Sequence, residues 1–243
     1  MTADLIYERT LRVRSEQVNM NRELRTSELF KLLEEASIAH TEELGCTRHK
    51  TLDRGLLWII ARQSVEIAEL PQYDDEITVK SWQGEMMHVF FPRFYEIWKG
   101  GRCIVRGEAL WMLIDEETRD MIMPEDYDIC IPGLPGSDDV IIPAIRIPSD
   151  CSEPFISYPV TTRFSQVDIN GHMNNTRYFD VIDDAMEKWH PGWIAGHPAK
   201  TVTANYLSEL RLGDEFTLNG YEKDGSFYYE GAADKPKFLI KVT

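Results

Sequence analysis

Three polar side chains suited to acid–base chemistry stand at alternate positions in one short stretch of the chain. Asp168, Asn170 and His172 occur in the sequence DINGHMNN, just before apolar residues at helical spacing. A carboxylate can hold an imidazole in one tautomer and favour its charged form, while an amide offers both a donor and an acceptor. The free N–H groups and the positive dipole end of a following helix suit an oxyanion. The stretch predicts a catalytic turn.

The chain contains the same segment twice, and the earlier copy lacks the acid and the imidazole. Without a gap, RSEQVNMNRELRTSELFKLLEEA (Arg14–Ala36) aligns with RFSQVDINGHMNNTRYFDVIDDA (Arg163–Ala185), with six identities in 23 positions. Asn19 and Glu23 stand where the later copy has Asp168 and His172. Asp, Asn and Gly also favour ordinary turns. Because the first copy forms the matching turn without Asp and His, we expect one active site, in the second copy.

Each copy predicts a helix entered from a loop and followed by strands. Thr26 or Ser27 is the expected N-cap of the first helix, and Asn174 or Asn175 of the second. The expected strands of the first copy are Leu5–Val13, Leu56–Leu70, Glu76–Trp82, Val89–Trp98 and Cys103–Ile114. Those of the second are Phe155–Thr162, Thr201–Leu210, Glu215–Tyr221, Ser226–Glu230 and Lys237–Val242. This order predicts an α+β fold of two modules, each a curved antiparallel β-sheet packed on one long helix.

The negative charge of the chain is concentrated between the two copies. The formal net charge is −15, and residues 115–139, with nine acidic residues and one arginine, contribute −8 of it. The same region contains several prolines, which favours an extended connector. We therefore expect an N-terminal module at residues 1–114, an acidic linker at 115–152 and a C-terminal module at 153–243. The apolar stretch from Val140 to Ile147 indicates that part of the linker lies against a module.

Composition excludes several broad classes of protein. A net charge of −15 argues against general binding to nucleic acids or anionic membranes. The four cysteines show no paired spacing, which favours a reduced, cytoplasmic protein. The N-terminus is charged too early for a secretory signal, and apolar runs are too short to span a membrane. No metal-ligand motif occurs, and we expect neither a metal nor another cofactor.

The chain resembles the acyl-acyl carrier protein (acyl-ACP) thioesterases of fatty acid synthesis, as a bacterial relative of the plant enzymes. The resemblance is carried by DINGHMNNTRYFD and ANYLSEL in the second copy, and by LLWIIARQSVEI and LPQYDDEITVKSW in the first. It implies a tandem hot-dog fold, with each module wrapped on a central helix. It also implies hydrolysis of acyl-ACP to free fatty acid and carrier protein.

The resemblance implies roles for particular residues. The catalytic Asp, Asn and His of the family match Asp168, Asn170 and His172, and a further catalytic Glu, on the strand after the helix, matches Glu209. Many plant members have a cysteine directly after that Glu, where this chain has Leu210. A thiol nucleophile at that position is therefore excluded, and direct attack by water is expected.

Substrate and carrier contacts are expected in both copies. The resemblance assigns the acyl chain largely to the first module, where Trp58, Ile60 and Phe91 are the candidate wall residues. Asn174 and Asn175 are candidate substrate ligands beside the catalytic turn. The acidic carrier protein needs a basic surface, and Arg9, Arg12 and Arg22 are its candidate contacts.

Two other functions remain open from the sequence. An acyl-CoA thioesterase would use the same residues, and a non-catalytic acyl-binding hot-dog protein would not need Asp168, His172 and Glu209. A hot-dog dehydratase also uses a histidine with a carboxylate, although the HxNN arrangement fits it poorly. The expected oligomeric state is a monomer with an internal pseudo-dimer, or a homodimer.

Overall fold

The chain divides into two compact units. The computed structural model describes residues 4–137, 140, 142–151 and 153–243. The first unit comprises Met1–Gln63 and Ala68–Ile142, and the second comprises Ser64–Ile67 and Pro143–Thr243.

The first unit is a five-stranded sheet with one long helix. Its elements are β1 (Tyr7–Arg12), α1 (Thr26–Glu43), β2 (Leu56–Ile67), β3 (Glu76–Gln83), β4 (Phe90–Lys99) and β5 (Arg102–Asp115). The strand order is β1-β3-β4-β5-β2, and the pairs β1/β3, β3/β4 and β4/β5 are antiparallel. β3 alternates buried and exposed residues, as a strand with one face on a core must.

Helix α1 packs one face into the first unit. Its buried residues recur every three or four positions and include Leu29, Leu33, Ala36 and His40. The helix ends before Gly45, whose φ of 86° lies in the left-handed region that glycine adopts without strain.

The second unit repeats this arrangement. Its elements are β6 (Ile156–Thr161), α2 (Arg177–Trp189), α3 (Trp193–Gly196), β7 (Thr201–Tyr206), β8 (Glu215–Lys223), β9 (Ser226–Ala232) and β10 (Pro236–Val242). The strand order is β7-β10-β9-β8-β6, and each neighbouring pair is antiparallel. The predicted α+β class, with one long helix on each antiparallel sheet, is confirmed.

Much of the predicted linker lies against one unit or the other. Val140 and Ile142 pack with Leu110 of β5, and the Ile142 carbonyl accepts a hydrogen bond from Arg62 Nη1 at 2.9 Å. Further on, Asp150 forms an ion pair of 2.6 Å with Lys223 of β8. The apolar stretch therefore predicted this packing correctly. Asp138, Asp139, Ile141 and Ser152 of the linker lie outside the described residues.

Two local predictions are wrong, and one short element was not predicted. The expected strand Thr201–Leu210 ends at Tyr206, because the amides of Leu207 and Ser208 both donate to the Lys237 carbonyl and the ladder stops there. The N-cap positions are Arg25 and Thr176, one or two residues away from the expected caps. The short helix α3 was not foreseen; Glu187 holds its start by accepting the amides of Gly192 and Ile194.

Candidate functional site

The DINGH stretch forms a tight turn in the second unit. The amide of Asp168 donates to the carbonyl of His172 at 3.0 Å, and Gly171 occupies the left-handed region with a φ of 80°. The Asp168 carboxylate accepts the amide of Asn170 at 2.8 Å and the side-chain amide of Asn174 at 3.3 Å. Asp168 therefore fixes the shape of the turn that carries His172.

The segment after β7 brings Glu209 to His172. Met173 donates its amide to the Leu210 carbonyl at 2.7 Å, and His172 forms an isolated bridge with Arg211. His172 Nε2 consequently lies 3.2 Å from Glu209 Oε1, which is within ion-pair distance. The side chains are 12% and 28% exposed, so the pair is sheltered while the carboxylate remains accessible. A general base needs this combination of contact and access.

The prediction that Glu209 lies on a strand is wrong. Glu209 stands three residues beyond the end of β7, in a segment without regular structure. This segment is released from the ladder at Leu207, so its side chains no longer alternate between the two faces of the sheet.

Two further residues belong to this site and were missed from the sequence. Arg211 Nη2 lies 3.6 Å from Glu209 Oε2, which supplies a positive charge on the side away from His172. Tyr178 is buried in the first turn of α2, and burial, followed by the charges of Asp168 and Glu209, raises the pKa of its hydroxyl. The helical spacing of Tyr178 had indicated a core residue, and no signal in the sequence separated the two roles.

Asn174 is used inside the turn. Its Oδ1 accepts the amide of Thr176 at 3.0 Å and the Thr176 hydroxyl at 2.7 Å, while its carbonyl accepts the amide of Arg177 at 2.9 Å. The amides of Thr176 and Arg177, at the start of α2, are thus engaged within the chain and do not meet the expectation that such amides hold an oxyanion. The Asn175 carbonyl accepts a hydrogen bond from Tyr206 at 3.0 Å.

The first unit contains the same turn with different side chains. Asn19 Oδ1 accepts the amide of Asn21 at 2.9 Å, and the Asn19 amide donates to the Glu23 carbonyl at 2.8 Å, as in the second unit. Glu23 bridges Gln72 as His172 bridges Arg211. The Pro71 carbonyl accepts the amide of Leu24 as the Leu210 carbonyl accepts that of Met173. Leu70, directly before Pro71, is therefore the counterpart of Glu209. The first turn therefore lacks the acid, the imidazole and the second carboxylate.

The candidate acyl-chain residues of the first unit include an aromatic group. The rings of Trp58 and Phe91 meet edge to face with centroids 4.9 Å apart, and Trp111 lies 6.4 Å from Trp58. Phe91 and Ile60 are buried, whereas Trp58 is half-buried. Trp111 is directly opposite Phe91 in the β4/β5 register and was missed from the sequence.

The three candidate docking arginines are exposed, but they are not equivalent. Arg12 of β1 lies 3.2 Å from Asp74 and 3.8 Å from Glu76, so its charge is partly engaged by neighbouring carboxylates. Arg9 projects from the same strand, and Arg22 occupies the turn of the first unit with a φ of 67°.

Within the described part of the chain, no group of three His, Cys, Asp or Glu side chains is arranged to hold a metal ion. Among the helices described, none combines the length and apolar character needed to cross a bilayer.

Comparison with protein families matches both units. The model of the acyl-ACP thioesterase N-terminal domain matches residues 4–130, and that of the C-terminal domain matches residues 151–234. A chloroplastic dodecanoyl-[acyl-carrier-protein] hydrolase from Cinnamomum camphora is 26% identical over 86% of this chain and 57% of its own length. The chloroplastic oleoyl-acyl carrier protein thioesterase 2 of Arabidopsis thaliana is 22% identical over 86% of this chain and 60% of its own. The chain thus spans a little over half the length of these relatives.

Solved structures share the fold over nearly the whole chain. An acyl-ACP thioesterase from Bacteroides thetaiotaomicron superposes with a TM-score of 0.79 at 22% identity, covering 98% of this chain and 96% of that one. The 12:0-ACP thioesterase from Umbellularia californica gives a TM-score of 0.82 at 18% identity, with coverage of 98% and 96%. The predicted tandem hot-dog fold is confirmed.

Proposed function

Because the chain belongs to the acyl-ACP thioesterase family, we propose that it hydrolyses the thioester of an acyl-acyl carrier protein and releases free fatty acid and carrier protein. The observation that carries the proposal is the contact of His172 with Glu209 at 3.2 Å, on a turn whose counterpart in the first unit has Glu23 and Leu70 at these positions. The turn folds in both units, so its extra acid–base groups in the second are explained by chemistry.

The attacking nucleophile is water. Leu210 stands directly after Glu209, so no thiol is available at that position. The Glu209–His172 pair accepts the proton of a water as its oxygen attacks the thioester carbonyl. Arg211 Nη2 lies 3.6 Å from the second oxygen of Glu209 and places a positive charge beside the carboxylate that acts in this step.

The other residues hold the reacting groups in place. Asp168 fixes the turn through the amides of Asn170 and Asn174, and its charge favours an imidazolium at His172. The amides of Thr176 and Arg177 are engaged with Asn174, so they do not bind the tetrahedral oxyanion. The Asn170 side chain and the positive end of the α2 dipole stabilise the oxyanion instead. The proton returns to the pantetheine sulfur as the C–S bond breaks.

The two units have different roles in the proposed reaction. The second unit carries the chemistry, and the first binds the acyl chain along Trp58, Ile60 and Phe91. Arg9, Arg12 and Arg22 form the basic contact for the acidic carrier protein. Residues 1–114 act as the acyl-binding module, 115–152 as the linker and 153–243 as the catalytic module.

The test is hydrolysis of a panel of acyl-ACPs from C8 to C18, with the matching acyl-CoAs side by side. We expect free fatty acid from acyl-ACP, with kcat/KM at least about tenfold above that for acyl-CoA, because only the carrier protein adds a docking surface. Faster turnover of acyl-CoA would instead identify an acyl-CoA thioesterase. Saturable acyl binding without hydrolysis would identify a non-catalytic acyl-binding protein.

A further inference from the structure

The interior of the first unit contains a polar cluster where an apolar core would be expected. Ser81 and Gln83 of β3 are 0% and 2% exposed, and Arg93 and Tyr95 of β4 are 2% and 1% exposed. In the antiparallel register Gln83 is directly opposite Arg93, and Ser81 is opposite Tyr95, so the four side chains share one face. This face is the one covered by α1.

Arg93 carries a buried charge whose described hydrogen-bond partners are neutral. Its Nη1 donates to His40 Nδ1 at 2.7 Å and its Nη2 to Thr41 Oγ1 at 2.6 Å. His40 accepts at Nδ1 and so donates from Nε2 to the Asp4 carbonyl at 3.0 Å, which makes it the neutral imidazole. Burial lowers the pKa of Arg93 to about 10, which still leaves the guanidinium charged at neutral pH.

The cluster has unused hydrogen-bond donors. Gln83 Nε2 and Ser81 Oγ are buried and have no partner within the described part of the chain. A guanidinium has five N–H groups, and the contacts with His40 and Thr41 use one from each terminal nitrogen. Buried donors normally find an acceptor, because leaving them unmet is costly. The three side chains together are therefore suited to an acceptor that arrives with a ligand.

Tyr95 differs from these three residues because its hydroxyl is satisfied. It accepts from Trp111 Nε1 at 3.1 Å and lies 2.8 Å from Ser37 Oγ. The Ser37 hydroxyl donates to the Leu33 carbonyl, so Tyr95 is the donor to Ser37. Burial, with a contribution from the Glu34 carboxylate, raises the pKa of Tyr95 and keeps this donor protonated.

The polar cluster continues directly from the aromatic group proposed to hold the acyl chain. Phe91 precedes Arg93 by two residues on the same face of β4, and Trp111 joins the two groups through its bond to Tyr95. Opposite Arg93 and Tyr95 on β5 stand Ala109 and Gly107, two of the smallest residues.

We propose that three members of this cluster, Ser81, Gln83 and Arg93, bind the far end of the acyl chain and select chains that carry an oxygen acceptor there, a carboxylate above all. The guanidinium supplies the charge, the Gln83 amide and the Ser81 hydroxyl supply neutral donors, and the aromatic group holds the methylene chain. This inference rests on the proposed function only for the path of the acyl chain along Trp58 and Phe91.

The first test measures binding without catalysis. Non-hydrolysable amide analogues of acyl-pantetheine, with equal chain length and either a methyl or a carboxylate end, are titrated into the full chain by calorimetry. We expect the carboxylate-ended analogue to bind about tenfold more tightly, as charge-assisted hydrogen bonds to buried donors provide. Equal or tighter binding of the methyl-ended analogue overturns the proposal.

The second test removes one of the two neutral donors, the Gln83 amide. Gln83→Leu is similar in size and should fold, lose the preference for the carboxylate end and keep or improve binding of the methyl end. Thr162→Val, which removes a buried hydroxyl of the second unit, is the matched control and should keep the wild-type ratio. An unchanged ratio in Gln83→Leu contradicts the proposal.

Hydrolysis separates this inference from the proposed function. Thioesters with the two chain ends are supplied on the carrier protein to the wild-type chain. Selective binding without hydrolysis supports the cluster and overturns the thioesterase assignment. Hydrolysis without preference for either end supports the assignment and overturns the cluster.

Discussion

At the scale of single residues, the two turns differ at three matched positions. Asn19, Glu23 and Leu70 of the first unit correspond to Asp168, His172 and Glu209 of the second. Both Asn19 and Asp168 accept the amide two residues ahead, so either side chain makes the turn. What Asp168 adds is a negative charge in the turn that carries His172.

The charge of Asp168 is tested by Asp168→Asn. The asparagine should keep the turn, as Asn19 does, and therefore leave the melting temperature close to the wild-type value. Loss of the charge should lower kcat for acyl-ACP by about 10²-fold, since the imidazolium is no longer favoured. Asn19→Asp in the first unit is the control and should leave kcat unchanged. A wild-type kcat in Asp168→Asn would show that the charge has no role.

Asn174 should matter for stability in a way that Asn175 does not. Its side chain accepts from Thr176 at the start of α2 and donates to Asp168. Asn174→Ala should lower the free energy of unfolding by about 1–2 kcal/mol, because the Thr176 amide at the start of α2 then loses its side-chain acceptor. Urea denaturation of Asn174→Ala and Asn175→Ala provides the measurement, and equal stability of the two variants would argue against this contribution.

At the scale of elements, alternation and helical spacing predicted most of the fold. The ten strands and two long helices were anticipated, because each buries one face and so shows its period. The end of β7 was not anticipated, because residue types do not reveal that two amides share the Lys237 carbonyl. Asp168 and His172 were found by comparing the copies, whereas Glu209 came from the family resemblance alone. The spacing from Glu23 to Leu70 is 47 residues and from His172 to Glu209 is 37, so an ungapped alignment cannot match them.

The acidic face of α2 gives the second unit a pH-dependent stability. Burial, followed by the charges of Asp180, Asp184 and Glu187, raises the pKa of Asp183 to about 7. An acid whose pKa is raised on folding destabilises the folded state once it ionises, so stability should fall as pH rises from about 4 through 7.

Asp183→Asn should remove this loss. The free energy of unfolding of the variant minus that of the wild type should increase by on the order of 2 kcal/mol from pH 5 to pH 8. Urea denaturation at the two pH values measures the difference, with Glu35→Gln on the exposed face of α1 as the control. A constant difference between wild type and Asp183→Asn at both pH values would contradict the raised pKa.

At the scale of the whole molecule, charge bears on the choice of partner. The net charge of −15 opposes an acidic partner, but residues 115–139 contribute −8 of it. We therefore expect the proposed acidic carrier protein to contact the arginines of the first unit. Arg22 is the sharpest of these to test, because Arg12 is already engaged by Asp74 and Glu76.

Arg22→Glu should raise KM for acyl-ACP several-fold with little change in kcat, because docking precedes chemistry. The effect should shrink at high salt and be absent with acyl-CoA, which has no protein surface to dock. Lys188→Glu, a change at an exposed lysine of the second unit, is the control. A KM increase of the same size for acyl-CoA would mean that Arg22 acts on the pantetheine arm or the fold.

Single-turnover hydrolysis of acyl-ACP in His172→Ala and Glu209→Gln tests whether the turn of the second unit performs thioester hydrolysis. Glu23→Ala, the matched change in the first unit, is measured alongside. We expect the first two variants to lose about 10²–10⁴-fold in rate while remaining folded, and Glu23→Ala to hydrolyse acyl-ACP like the wild type. Near-wild-type rates in both His172→Ala and Glu209→Gln would contradict it.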